Sequence, residues 1–319
     1  MANAKELQNR IKSVKDTMKI TKAMYMMSSM KVQKAKMKLS ATEPYFFTLQ
    51  KEIADMLLHF PEMQHIFFDN REKDVEEKDK KRAVIVFSGD KGMAGGYHHN
   101  LYGEAERKIK EVKNCKVYAL GEVGRRYLRS KGYTVSETFK FSVTNPSIHR
   151  ARYIAETLME DYLNEEIDEV IVIYTKMVNS MNMKVESMKL LPLETREFMR
   201  KEILDRVSEG TAPRADLDKA DEWYLFEPSP KDILGKLAKN YVTGSIYGAL
   251  VESYASEENS RTLAMRAATD AADKILAELT KEYNGVRQAA ITQEITEVVG
   301  GAKALLKKKQ QQLMQGKAG

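Results

Sequence analysis

Residues 4–43 contain neither proline nor glycine, and their apolar and small side chains recur without a slip: Leu7, Ile11, Val14, Met18, Thr21, Tyr25, Ser28, Val32, Ala35 and Leu39. The steps alternate four and three, a seven-residue repeat that draws one narrow stripe along a helix. Such a stripe cannot be sealed by its own helix, so a second helix must lie against it. At about 1.5 Å per residue the segment would extend for about 60 Å. Its middle is slim (Thr21, Ser28), which invites close approach of the partner. Its other faces are basic, with Lys5, Arg10, Lys12, Lys15, Lys19, Lys22, Lys31, Lys34, Lys36 and Lys38 against Glu6 and Asp16. Pro44 is expected to end or kink this helix.

The opposite end of the chain supplies the matching half. No proline follows Pro230, and 231–317 reads almost wholly as helix. Ala264, Ala268, Ala271, Ile275, Leu279, Tyr283, Val286 and Ala290 form one expected stripe, which Ile291, Ile295, Val298, Ala302 and Leu305 carry onward. Two seamed helices from the two chain ends most simply wind around each other, antiparallel. Met24, Met26, Met27 and Met30 are too dense for one seam, so part of this helix must face something other than its partner.

Between the ends lies an alternating pattern. Strands are expected at 83–87, 116–120 and 169–174, helices near 100–112, 122–131 and 147–164, and an added strand at 183–193. Alternation of this kind implies a mostly parallel sheet. The fold class is therefore α/β: a long antiparallel coiled coil of the N- and C-terminal helices with an inserted small α/β domain, Rossmann-like with a mostly parallel sheet. The expected division is 1–58 as N-terminal coiled-coil helix, 59–82 as charged linker, 83–193 as α/β domain, 194–222 as charged insertion, and 223–319 as C-terminal coiled-coil helix and tail. Residues 69–82 carry six acids and six bases, and 194–222 nine acids and six bases. The second segment reads as a surface helical excursion or a mobile loop.

Chemistry is scarce. The chain has one cysteine, Cys115, which excludes an internal disulfide, and its five histidines show no metal-ligand spacing. No run is long and apolar enough to span a bilayer, and the first residues lack the apolar stretch of a secretory signal. The turn after the first strand holds Gly89, Gly92, Gly95 and Gly96, but Lys91 precedes Gly92 instead of following the last glycine. A phosphate-cradling loop needs the lysine after it, so this is a tight strand–helix turn or a weak anion site. A nucleotide-binding α/β enzyme with a coiled-coil arm is thus the alternative reading. The basic face lacks interleaved aromatics, so no nucleic acid is expected. No catalytic residue, cofactor or metal site can be argued from spacing. A shape of this kind transmits or spans.

Five ordered blocks are more specific. Ile20-Thr21-Lys22-Ala23-Met24 resembles the N-terminal helix of the gamma subunits of F-type ATP synthases. The stretch 287–302, with Ile291, Thr292, Glu294, Glu297, Gly301 and Ala302 at the same spacing, is similar to that family's C-terminal signature. Residues 265–270, 88–97 and 224–228 add three further blocks. The resemblance implies a rotary shaft without catalytic residues. Its coiled coil would stand inside a ring of three alpha and three beta subunits, and its α/β domain would touch the epsilon subunit and the c ring. By motif, Met24 and Lys22 on the first helix, and Arg261, Arg287, Gln288, Thr292 and Glu294 on the last, would contact beta. Tyr224 and Glu227 would sit at the foot, near the c ring and epsilon. The implied location is the cytoplasmic face of a bacterial cell membrane, peripheral, through the complex. The glycine turn departs from many relatives in carrying Ala94 in place of cysteine and in being one residue longer. The tail 303–319 extends past the family's usual end, to lengthen the shaft or fray.

Overall fold

The computed structural model describes residues 4–68, 75–199 and 227–315. Its elements, in chain order, are α1 (Ala4–His59), a short 3-10 turn (Ile66–Phe68), a second (Glu77–Asp79), β1 (Lys81–Phe87), α2 (Tyr97–Lys110), β2 (Asn114–Leu120), α3 (Glu122–Ser130), α4 (Ile148–Leu163), β3 (Glu169–Met177), β4 (Met183–Leu191), α5 (Thr195–Phe198) and α6 (Pro230–Gln315). They fall into two compact units, one made of 1–25 with 265–319 and the other of 26–264.

The first unit is a helix pair. On α1 Leu7 is buried, and Ile11, Val14, Met18, Thr21 and Tyr25 are half-buried, as the repeat requires. On α6 the seam differs from the expected stripe. Ala271 and Ile275 are exposed, whereas Met265, Thr269, Ala272, Leu276, Leu279, Tyr283 and Val286 are covered. The reason is local: a strict heptad through α6 passes through Thr269, whose hydroxyl lies 2.8 Å from that of Thr21. A reading based on apolar residues skips this polar position and starts the seam one residue away. Leu7 lies as far before Thr21 as Tyr283 lies after Thr269, so the seam ends where α1 begins. From Arg287 to Leu306 every α6 residue is exposed, and the onward stripe through Ile295, Val298 and Leu305 meets no partner helix among the described residues.

The second unit is built on a four-stranded sheet of order β2-β1-β3-β4. β2, β1 and β3 are parallel, and β4 returns antiparallel on β3. Alternate residues of β1 feed opposite faces. Val84 and Val86 pack under α2 and α3 with Leu101, Ala105 and Leu128. Ala83, Ile85 and Phe87 pack on the other face with Ile154 and Leu158 of α4, Ile53 and Leu57 of α1, and Leu234, Val242 and Ile246 of α6. Burying a side chain of this size contributes about 1.5–3 kcal/mol. That burial explains why Pro44 does not end α1: the helix continues to His59, since the packing of Ile53 and Leu57 outweighs one lost backbone hydrogen bond.

Within 59–82, Phe67 is 2% exposed and accepts a 2.7 Å hydrogen bond from the Leu193 amide on its carbonyl. Lys81 and Arg82 already belong to β1. Phe198 of α5 is fully buried. The rest of the charged insertion, from 200 on, and Tyr224 lie outside the described residues.

Candidate functional site

In an open α/β sheet the ligand crevice lies beyond the carboxyl ends of the strands, where the strand order reverses. Here that point is between β1 and β3, because the chain leaves β1 for β2 on one side and comes back for β3 on the other. The glycine turn 88–96 forms one rim of this crevice. Its backbone needs left-handed conformations at Met93 (φ 61°) and Gly95 (φ 57°).

A row of polar residues on one face of α6 fills the place. Ser253 Oγ donates to the Phe87 carbonyl (2.9 Å) at the end of β1 and lies 2.7 Å from the Tyr97 hydroxyl. One turn on, Ser256 Oγ donates to the Thr175 carbonyl of β3 (2.9 Å). Asn259 Nδ2 donates to the Ser180 carbonyl (2.8 Å) and Ser260 Oγ to the Ala94 carbonyl (2.7 Å). Glu257 presses on Gly89 so closely that a Cβ there would overlap its carboxylate. Burial pushes the Glu257 pKa up, against the pull of Arg261. Burial likewise raises that of Tyr97, and the nearby Glu257 charge adds to the effect. The helix therefore occupies the space where a nucleotide would lie and satisfies its own hydroxyls on the strand ends. The alternative reading as a nucleotide-binding enzyme loses its site.

Arg261 belongs to this seal. It is 5% exposed, pairs with Glu257 at 2.5 Å and Glu258 at 3.0 Å, and donates to the Gly92 carbonyl at 3.3 Å. Lys31 of α1 reaches the same Glu258 at 3.0 Å. Arg261 thus differs from the other residues placed with it by motif. Arg287, Gln288, Thr292 and Glu294 are all exposed. Gln288 and Thr292 share one helix face, with Thr292 Oγ1 donating to the Gln288 carbonyl at 2.9 Å. On α1 Lys22 is exposed and Met24 half-buried, and Glu227 is exposed ahead of α6.

Sequence reasoning missed the serine row and the buried Arg82. The serines sit at helical spacing (253, 256, 260), a signal open to reading as small seam residues but not as a docking row. Arg82 is 2% exposed and held by Glu169 and Glu111. Among the described residues no group of acids, histidines and cysteine is placed to hold a metal ion, and no helix is long and apolar enough to cross a membrane.

The match to known proteins is extensive. The ATP synthase family model matches residues 3–305. The chain is 40% identical over 304 residues to an ATP synthase gamma chain of Ruminiclostridium cellulolyticum, covering 95% of this chain and 99% of that one. It is 36% identical over 304 residues to the sodium ion specific gamma chain of Acetobacterium woodii, again covering 95% and 99%. Among solved structures, it resembles a chain of the Euglena gracilis mitochondrial ATP synthase rotor (TM-score 0.56, 14% identity, 90% of this chain and 98% of that one). It also resembles one from the central stalk and c ring of the Tetrahymena thermophila enzyme (TM-score 0.52, 20% identity, 78% and 99%). These two likenesses concern the fold, and the sequence relatives carry the family. With a coiled coil of its two ends, a crevice filled by its own helix and relatives matched over nearly their whole length, the chain belongs to the gamma-chain family of ATP synthases.

Proposed function

We propose that this chain is the central rotor shaft of an F-type ATP synthase, a non-catalytic subunit that carries rotation between the c ring and three catalytic beta subunits. The observation that carries this reading is the outer part of α6. It is a helix whose apolar residues Ile291, Ile295, Val298 and Leu305 are exposed, with Arg287 in line with that stripe and Gln288 and Thr292 on the face beside it. A helix apolar on an exposed face calls for an enclosing partner, and a ring of three alpha and three beta subunits provides one. The foot, with Tyr224 and Glu227, would meet epsilon and the c ring. The complex would hold the chain peripherally at the cytoplasmic face of a bacterial membrane.

The mechanism is a population shift. A shaft that touches one beta conformation and not another biases which is occupied, and moving a two-state site from 1:99 to 99:1 takes about 5.5 kcal/mol. Charge-assisted hydrogen bonds contribute about 1.5–3 kcal/mol each and neutral ones about 0.5–1.5. Lys22 and Arg287 as charged donors, with Gln288 and Thr292 as neutral partners, reach that scale together. Met24 adds an adaptable apolar contact, and Glu294 an acceptor. Arg261 acts within the chain: its bonds to Glu257 and the Gly92 carbonyl fasten α6 to the sheet, so that a push on the α/β unit turns the helix. The test is the complex of this chain with alpha and beta. Gln288→Leu is expected to slow its ATP hydrolysis severalfold without dissociating it. Wild-type turnover in an intact variant complex would reject the contact.

A further inference from the structure

The second unit carries a half-open pocket of about 730 Å³ that the shaft reading leaves unexplained. It lies among α1, α4, β3, β4 and α6, away from the filled crevice, and its size falls in the range of about 300–1,000 Å³ typical of small-molecule sites. Aromatic rings of Phe46, Tyr174, Tyr241 and Tyr247 form its walls. Phe46 and Tyr241 are stacked at 5.0 Å, so this wall is preformed. Two glycines one turn apart on α6 shape the floor. Gly244 is covered by the Phe46 ring, whereas a Cβ on Gly248 would meet nothing within 4 Å. The missing side chain at 248 is part of the empty space.

Two polar groups on the same helix line this cavity unsatisfied. Ser245 is 6% exposed and its Oγ has no hydrogen-bond partner among the described residues. Glu252 Oε2 is likewise buried without one among them. Buried polar atoms left unpaired cost about 1–3 kcal/mol each, more when charged, and a fold tolerates that cost where a ligand relieves it. The Ser245 hydroxyl donates or accepts, whereas the Glu252 carboxylate oxygen only accepts, so the partner missing at Glu252 is a donor, most strongly a cationic one. Aromatic walls favour a flat ring attached to that donor and add a cation–π contribution. Burial raises the Glu252 pKa, with Glu186 and Glu43 acting in the same direction and Lys176 against them. An ammonium group at Oε2 would reverse that.

We infer that this cavity is a binding site for a small aromatic amine, its ring between Phe46 and Tyr247 and its ammonium group on Glu252. Calorimetric titration of the full-length chain with tryptamine tests this, with indole-3-propionate as the anion of similar shape. One saturable tryptamine site per chain is expected, with the anion at least tenfold weaker. Gly248→Leu, which fills the floor, and Glu252→Gln, which removes the charge, should each weaken tryptamine at least tenfold, while circular dichroism shows a cooperative melt. The absence of saturable tryptamine binding, an equal affinity for the anion, or undiminished binding by either folded variant would overturn the inference.

Discussion

Gly121 and Gly103 make opposite demands on a side chain. Gly121 follows β2 with φ at 88°, and a Cβ there would stand 2.7 Å from the Ser88 and Gly89 carbonyl oxygens. These are backbone atoms of the turn that meets Glu257, so they cannot yield without loosening it. Gly121→Ala is expected to destabilise the chain by about 2–4 kcal/mol, combining left-handed strain with overpacking. Gly103 lies exposed inside α2 with nothing near its missing Cβ, so Gly103→Ala should stabilise by about 0.5–1 kcal/mol. Urea denaturation of the two variants gives both signs. Arg82 is a second residue with a measurable role. Removing it leaves Glu169, 6% exposed, as an unpaired buried charge, so Arg82→Met is expected to cost about 3–5 kcal/mol. Adding Glu169→Leu should recover a large part of that, and no recovery would mean that Glu111 and the Lys108 carbonyl matter more. Neither role is legible in the sequence. Arg82 reads there as part of a mixed-charge run, because its partners on β3 and α2 are distant along the chain.

At the scale of elements, periodicity was the legible quantity and pairing was not. The α1 heptad from Leu7 to Leu39 is covered at every position, because a seam on one helix needs no knowledge of its partner. On α6 the same reasoning slipped by one residue around Ala271, since the true seam passes through a threonine matched to Thr21 across the interface. The strands were legible from their β-branched runs, and the filled crevice was not. Its contacts join 87–94 to 253–261, and a row of serines has no signature until the strand ends they cap are known. The two parts of α6 therefore predict different protection. Hydrogen exchange should be slow over 253–261, where side chains tie the helix to the sheet, and fast beyond Arg287, where no described residue packs. Deleting 287–319 from the isolated chain should leave its melting temperature within about 2 °C. A larger fall would mean that this segment packs on its own chain.

For the whole molecule, the division of labour follows from what each unit buries. Residues 26–264 hold the sheet and a continuous core, with α6 bonded to the strand ends, which suits a body that is pushed. Residues 1–25 and 265–319 bury one seam and leave the basic and C-terminal apolar faces open, which suits a body that is surrounded. The glycine turn, the most enzyme-like feature of the sequence, serves as a socket for the chain's own helix. Rotation itself tests the central claim most directly. With the alpha and beta subunits fixed to a surface, a probe is attached through Arg126→Cys, a position on α3 whose side chain is 72% exposed. Cys115, a half-buried free thiol, is replaced by serine so that it does not take the label. On addition of ATP the probe should turn in one direction, in three equal steps per revolution, one for each beta subunit. Steady ATP hydrolysis with the probe stationary, or wandering equally both ways, would contradict the account.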